Sequence, residues 1–500
     1  MKRVLSLFLL ALLVGFLESC NQPAFDDLNI DNPELKSAQN SRPTFIVTFK
    51  DDLFSDELRA SPGYEGRQRA MQVAAERALS AAGIFDAEIG FVYSHAIQGF
   101  SVMMPPGQLR KLEQLDAIKS IEQDQEVMLI EPFGRVVRQA SASTSSLQPK
   151  PWGIERVKGG VNYKGSNAAW VIDSGIELKH PDLNVDSRRS KTFISRTTPN
   201  DENGHGTHVA GIIAAINNDF GVVGVAAGAP VISVRVLDRR GSGTISGVIA
   251  GVDYVAANAI KGDVANMSLG GGVSDALDSA VLKASEKCFF ILAAGNSSTS
   301  ASTTSPARVN GDNIFTVSAM AVNDFWATYS NYGTPPVDYC APGTSIYSTY
   351  LNGGYATLSG TSMAAPHVAG ILLLGNISTD GAVKNDPDGD ADPIAIFGGT
   401  IAPENPEPEV GDEPGDGEVS TIALSANSAK VKGLRTITLS WTGGTANAEA
   451  TITRNGSVIA KVNNDNIGNG TFADNLGRTS GTMVYKVCEG ENCSNEVSVD

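Results

Sequence analysis

The stretch Ala168-Ala169-Trp170-Val171-Ile172-Asp173-Ser174-Gly175 is five apolar residues closed by an acid, a hydroxyl and a glycine. A strand that is apolar on both faces is buried on both faces, which is how strands of a parallel sheet read. Short runs of the same kind follow at residues 231–237, 264–269, 289–294 and 314–319. Helical periodicity fills the gaps at 206–217, 245–259 and 274–287. Strand and helix therefore alternate. The pattern predicts an α/β domain, doubly wound on a mostly parallel sheet, over residues 150–400.

Other units flank it. Residues 43–139 read as strand, helix, two strands, helix and strand, a small α+β unit. Residues 401–418 hold seven acids, four prolines and no basic residue, which makes a stiff, self-repelling linker. Residues 419–500 show short alternating segments and a hairpin signal at Asn455-Gly456. They predict an all-β sandwich, immunoglobulin-like or fibronectin-like. The whole chain has 500 residues, enough for about three domains. Its net charge is −17, so nucleic acid is excluded as a main partner.

At the N-terminus, Lys2 and Arg3 precede an apolar run over 4–17. The run is too short to span a bilayer, and residues 1–20 read as a signal peptide. Export is expected, to the extracellular space or the cell envelope. Leu17-Glu18-Ser19-Cys20 resembles a bacterial lipoprotein signal, and Glu18 departs from that pattern. The resemblance implies lipidation of Cys20 and attachment to a membrane. Five cysteines are too few for a disulfide scaffold. Cys488 and Cys493 are five positions apart in an exported chain and are expected to pair. Cys288 and Cys340 are expected to be free core thiols.

Three segments carry chemistry. The first is Asp173 at the end of its strand. The second is Gly204-His205-Gly206-Thr207-His208, and the third is Gly360-Thr361-Ser362-Met363-Ala364-Ala365-Pro366-His367. Ser362 falls at the start of an apolar helix, where unpaired N–H groups favour negative charge. An N-cap role would explain Ser362 but not the residues around it. A serine nucleophile needs a base, and His205 is the candidate. A histidine base needs a carboxylate to fix its tautomer, and Asp173 is the candidate. His205 and His208 are three apart with no intervening Glu, so a zinc helix is excluded. Catalysis needs no cofactor. Asn296, after a buried strand, can donate to an oxyanion.

Together these segments resemble the subtilisin-like serine proteases, most closely the proteinase K branch, over roughly residues 150–375. The order Asp, His, Ser is that of subtilisin and differs from chymotrypsin. Pro151-Trp152-Gly153-Ile154 and Ala341-Pro342-Gly343-Thr344-Ser345 add to the resemblance. It implies an Asp173, His205, Ser362 triad with Asn296 as oxyanion donor. It implies two backbone strips that flank an extended substrate, Gly241, Ser242 and Gly243 on one side and Ser268, Leu269 and Gly270 on the other. It implies structural calcium held by Asp338 and the carbonyls of Asp312 and Ile314. The cysteine that often follows the histidine motif in that branch is absent, since Val209 follows His208.

The 43–139 unit resembles the inhibitor-type propeptide of this family, with a ferredoxin-like fold, through Phe45-Ile46-Val47, Gly99-Phe100-Ser101-Val102 and Ile121-Glu122-Gln123-Asp124. The resemblance implies a folding aid and intramolecular inhibitor, cut off near Ala140. The expected function is an exported, self-processing serine endopeptidase acting on proteins or peptides. The alternative is a surface binding or adhesion protein with an inactive protease domain, compatible with the linker and sandwich.

Overall fold

The computed structural model describes residues 42–130, 137–139, 148–399, 422–431, 434–442, 448–463, 470–477, 481–489 and 492–499. The chain forms two compact units, divided between Ala402 and Pro403. Cys20, Ala140 and the acidic linker lie outside the described residues.

The first unit opens with β1 (Thr44–Phe49), α1 (Gly63–Ala81), β2 (Glu88–Tyr93), β3 (Gly99–Met103) and β4 (Ile118–Gln123). A short helix, Leu109–Glu113, links β3 to β4. The strands form an antiparallel sheet in the order β2-β3-β1-β4, a βαββαβ arrangement. The alternation of β1 explains its two faces. Phe45, Val47 and Phe49 pack on Met71, Ala75 and Leu79 of α1, while Ile46 points the other way, toward the next domain. Two short strands follow, β5 (Glu126–Leu129) and β6 (Val137–Gln139).

The next elements build the large sheet and its helices. They are β7 (Ala169–Asp173), α2 (His205–Ala214), β8 (Val231–Arg235), β9 (Ser242–Thr244), α3 (Ile245–Asn258), β10 (Val264–Met267), β11 (Leu269–Gly271), α4 (Asp275–Ala284), β12 (Phe289–Ala293), β13 (Ile314–Ala321) and β14 (Val337–Pro342). After a hairpin of β15 (Ile346–Tyr350) and β16 (Gly354–Leu358) come α5 (Thr361–Leu374), β17 (Ile377–Ala382) and β18 (Pro393–Phe397). The sheet runs β17-β18-β14-β13-β12-β10-β7-β8, with Lys191–Thr192 at its edge. From β18 to β8 every pair is parallel.

Period-two alternation explains the double winding. Ala169 and Val171 face one core with α2 and α5, and Trp170 and Ile172 face the other with α3 and α4. All five residues of β7 are buried, as its unbroken apolar run requires. The helices start within a residue or so of the periodic segments. Thr244 caps α3 and Ser274 caps α4, each accepting a backbone N–H three residues on.

In the second unit, Ala423–Val431, Leu434–Thr442 and Gly470–Gly477 form one antiparallel sheet. Glu449–Arg454, Ser457–Asn463 and Met483–Glu489 form another, with Asn492–Cys493 and Val497–Val499. Ile437, Leu439 and Trp441 of the first sheet share a core with Ile452, Tyr485 and Val487 of the second. Asn455 and Gly456 both have positive φ and turn the hairpin between 454 and 457. Cys488 and Cys493 form a disulfide, while Cys288 and Cys340 are buried free thiols.

Candidate active site

Asp173 is the last residue of β7, and His205 is the first of α2. His205 Nδ1 lies 2.9 Å and 3.0 Å from the two Asp173 carboxylate oxygens. Both side chains are essentially sealed from solvent, at 2% and 0% exposure. A carboxylate here fixes the proton on Nδ1 and leaves Nε2 as the basic nitrogen. Two glycines make the approach of α2 possible. Gly204 has φ +108°, and a Cβ on Gly206 would collide with the Gly175 carbonyl.

Asp201 holds these pieces together. Its buried carboxylate accepts from Ser174 Oγ, Asn203 N, Gly204 N, Thr207 N and Thr207 Oγ1, at 2.6–3.0 Å. Those donors flank both Asp173 and His205. Sequence reading missed this residue, although an acid four places before a helix-starting histidine was visible. Asp201→Ala leaves five donors short of an acceptor and loosens the Asp173–His205 geometry. We expect kcat to fall about 100-fold with KM nearly unchanged, because displacement of about 1 Å is enough for that. Equal losses in kcat and in the folded fraction would instead mean a stability role alone.

Ser362 is the second residue of α5 and is fully buried. Its Oγ donates to the Ile130 carbonyl at 3.1 Å and lies 3.4 Å from the Ser268 carbonyl. Ser268 Oγ in turn donates to the Ser362 carbonyl at 3.0 Å and accepts from Asn266. Pro366 lies inside the helix and has no N–H for the Ser362 carbonyl, which accepts from Ser268 Oγ instead. Asn296 sits beside the same helix start. Its Oδ1 accepts from Thr361 N and Thr361 Oγ1, both at 2.9 Å. That pair of bonds fixes which end of the amide is oxygen, and so turns its N–H₂ end toward Gly360.

The two expected strips stand on either side of one strand. Between β9 and β11 lies β5, antiparallel to both. Met128 pairs with Ser242 and Gly270, and Val127 with Gly243 and Gly271. Leu129 N–H donates to the Gly241 carbonyl at 2.8 Å. The preceding unit also grips α3 and α4. Asp124 accepts from Ser246 N at 3.0 Å, and Glu122 from Ala276 N at 2.7 Å, so each carboxylate caps a helix start. In return, buried Asp253 of α3 accepts the N–H groups of Ser94, His95 and Ala96 at 2.6–2.9 Å.

The other histidines are structural. His208 Nε2 lies between the Ile346 and Ala356 carbonyls, and burial lowers its pKa to about 3. His367 Nδ1 bonds the Met363 carbonyl, and burial lowers its pKa to about 4.

Of the expected calcium ligands, Asp338 accepts Thr316 N–H at 2.8 Å, and burial raises its pKa to about 6. A different oxygen cluster was not foreseen. Gln148 Nε2 lies 2.8 Å from the Ile216 carbonyl, 2.8 Å from Phe220's, 2.6 Å from Val222's and 3.3 Å from Asn218 Oδ1. Asp182 adjoins it, accepting from Asn218 Nδ2 at 2.9 Å and Val222 N at 3.0 Å. An amide nitrogen has two protons and cannot serve four oxygens. Converging carbonyls with a carboxylate and an amide are the donor set of a hard cation.

Comparison with known proteins gives the same picture. Residues 170–375 match the subtilase family, and residues 44–129 match the peptidase inhibitor I9 family. An extracellular serine proteinase of a Thermus strain is 37% identical over 75% of this chain and 90% of its own length. An alkaline serine exoprotease A of Vibrio alginolyticus is 37% identical over 69% of this chain and 65% of its own. A solved cold-adapted subtilisin-like serine proteinase is 42% identical, covering 46% of this chain and 85% of its own, with a TM-score of 0.40. A buried serine at a helix start, a buried His–Asp pair and a strand-lined cleft accompany these two family matches and the Thermus relative: the protein belongs to the subtilase family of subtilisin-like serine endopeptidases and carries an inhibitor-type unit ahead of its peptidase domain.

Proposed function

We propose that the chain is an exported zymogen that releases its own inhibitor unit and then hydrolyses extended protein segments. One observation carries the reading. A strand of the preceding unit lies in the cleft as a substrate would, with its backbone at Ser362 Oγ. In the reaction, main-chain pairing with β9 and β11 aligns the peptide without selecting side chains. His205 takes the Ser362 proton as Oγ attacks the carbonyl carbon. Asp173 stabilises the resulting imidazolium, and the Ser362 N–H and Asn296 amide receive the oxyanion. The proton then passes to the leaving amine, and water repeats the sequence on the acyl-enzyme.

Export is supported by the charged and apolar N-terminal run and by the Thermus relative, which is named as extracellular. No helix among the described residues is long and apolar enough to cross a membrane. Attachment through a lipid on Cys20 rests on Leu17-Glu18-Ser19-Cys20 alone. The C-terminal unit fits a fibronectin-like module, on the support of its two sheets and shared core. The adhesion reading with a dead protease domain draws no support from a site whose His–Asp pair is intact. The test is hydrolysis of casein by the secreted full chain, and its block by a serine-directed sulfonyl fluoride. A folded, secreted chain without that activity overturns the proposal.

Structural calcium belongs to the same proposal. Gln148, Asp182, Asn218 and the carbonyls of Ile216, Phe220 and Val222 fit it best, with Asp338, Asp312 and Ile314 as a second place. The ion would brace the loop after α2, which carries His205, and take no part in catalysis. At calcium about 100-fold above Kd, binding adds about 2.7 kcal/mol. Chelation is therefore expected to lower Tm by about 5–10 °C. Asp182→Asn should remove most of that calcium dependence. A Tm indifferent to chelator means that neither place binds calcium.

A further inference from the structure

We propose that the first self-cleavage falls after Ile130, and that residues 131–150 stay with the mature enzyme as its N-terminal segment. The inference rests on the peptidase reading and adds the bond it cuts.

Register selects this residue. Ile130 N–H donates to the Ser268 carbonyl at 3.4 Å, and its own carbonyl accepts Ser362 Oγ at 3.1 Å. It is therefore the Ile130 carbonyl carbon that stands before the nucleophile. The side chains hold β5 in this position. Val127 and Leu129 are buried, at 0% and 5% exposure, while Met128 between them is 44% exposed. A slip of one residue would exchange these faces. A slip of two in one direction puts Gln125 into the buried place of Val127. In the other direction it puts Glu131 into the place of Leu129, and Pro132, which has no N–H, where Ile130 donates to Ser268. Ile130 itself lies beside Gly270.

The chain beyond Ile130 is tied to the enzyme. β6 pairs antiparallel with β16, matching Val137 to Thr357 and Gln139 to Tyr355. Gln148 is locked in the oxygen cluster after α2. A cut near Ala140 would separate β6 from the enzyme and requires its pairing with β16 to be undone first. A cut after Ile130 leaves both anchors on the product that stays.

The step balances. Ser362 Oγ bonds to the Ile130 carbonyl carbon, and the bond from that carbon to the Glu131 nitrogen breaks. The hydroxyl proton moves through His205 to that nitrogen, which becomes a new α-amino group. Water hydrolyses the ester, giving the Ile130 carboxylate and restoring Ser362. The carboxylate end stays in the cleft until the unit departs.

The experiment is time-resolved intact mass of the full chain as it is secreted, with the C-terminus of the earliest inhibitor-unit fragment as readout. That end is unaffected by later trimming of the mature N-terminus. The expected fragment ends at Ile130. Ile130→Asp is expected to slow its appearance at least about tenfold, since a charge replaces an apolar fit at the cut residue. A wild-type chain that digests casein but whose first fragment ends elsewhere, at Ala140 for instance, overturns this inference and leaves the peptidase reading standing. A wild-type chain that neither cuts itself nor digests casein overturns both.

Discussion

Ser362→Ala is expected to lower kcat on a peptide substrate by about 10⁶-fold and to leave the full chain uncut. The magnitude is the one measured for the equivalent deletion in subtilisin, another member of this family. Three features of the site account for it. The hydroxyl is the group that bonds to carbon, so no neighbour can take over its part. His205 would lose the proton it exists to move. The oxyanion donors would remain and still favour a charged intermediate, which leaves a residue of about 10³–10⁴ over water. The side chain is one oxygen larger than alanine and makes few contacts, so the fold should stand. Intact mass then gives a direct reading. Wild type separates into two fragments, and the variant keeps the inhibitor unit attached. A variant that still cuts itself at the wild-type rate, at high dilution and free of other proteases, would remove Ser362 from the mechanism.

Much of this was legible in the sequence, for definite reasons. The unbroken apolar run into Asp173 is too short for a helix and reads as a buried parallel strand, and its acid then falls at the carboxyl end of the sheet. Gly204, His205 and Gly206 were legible because the positive φ at 204 and the packing of 206 on the Gly175 carbonyl demand glycine on both sides of the histidine. Ser362 was legible from its helix start and from Pro366. What was not legible depends on main-chain atoms. The Gln148 cluster is built chiefly from carbonyl oxygens, which every residue has, so composition gives no warning of it. Asp201 looks like any loop acid until its five donors are counted. The strand at 126–129 is short and the residues before it, 122–125, are all polar. Only pairing with β9 and β11 marks it as the segment that fills the cleft.

Asp173→Asn is expected to be nearly as damaging as loss of the serine, at about 10⁴-fold in kcat, although it changes one atom. The carboxylate accepts from His205 Nδ1 at 2.9 Å and from Ser174 N at 2.7 Å. An amide keeps the size and keeps one acceptor, so Tm should shift little. Its nitrogen, however, donates. Facing it, His205 is stable with the proton on Nε2 and the lone pair on Nδ1. The nitrogen that should accept the Ser362 proton is then already protonated. Because the pair is sealed from solvent, water cannot substitute for the missing acceptor, and the imidazolium formed during attack has no partner charge. The loss should therefore appear in kcat with KM almost unchanged, since β9 and β11 bind the peptide through main chain alone. Self-cleavage, a single turnover, should slow by the same factor and leave an intact but slowly maturing zymogen. If Asp173→Asn instead lowered Tm sharply and left the kcat of the folded fraction within about tenfold, the carboxylate would be a structural anchor of the β7 loop. Orientation of His205 would then fall to Asp201.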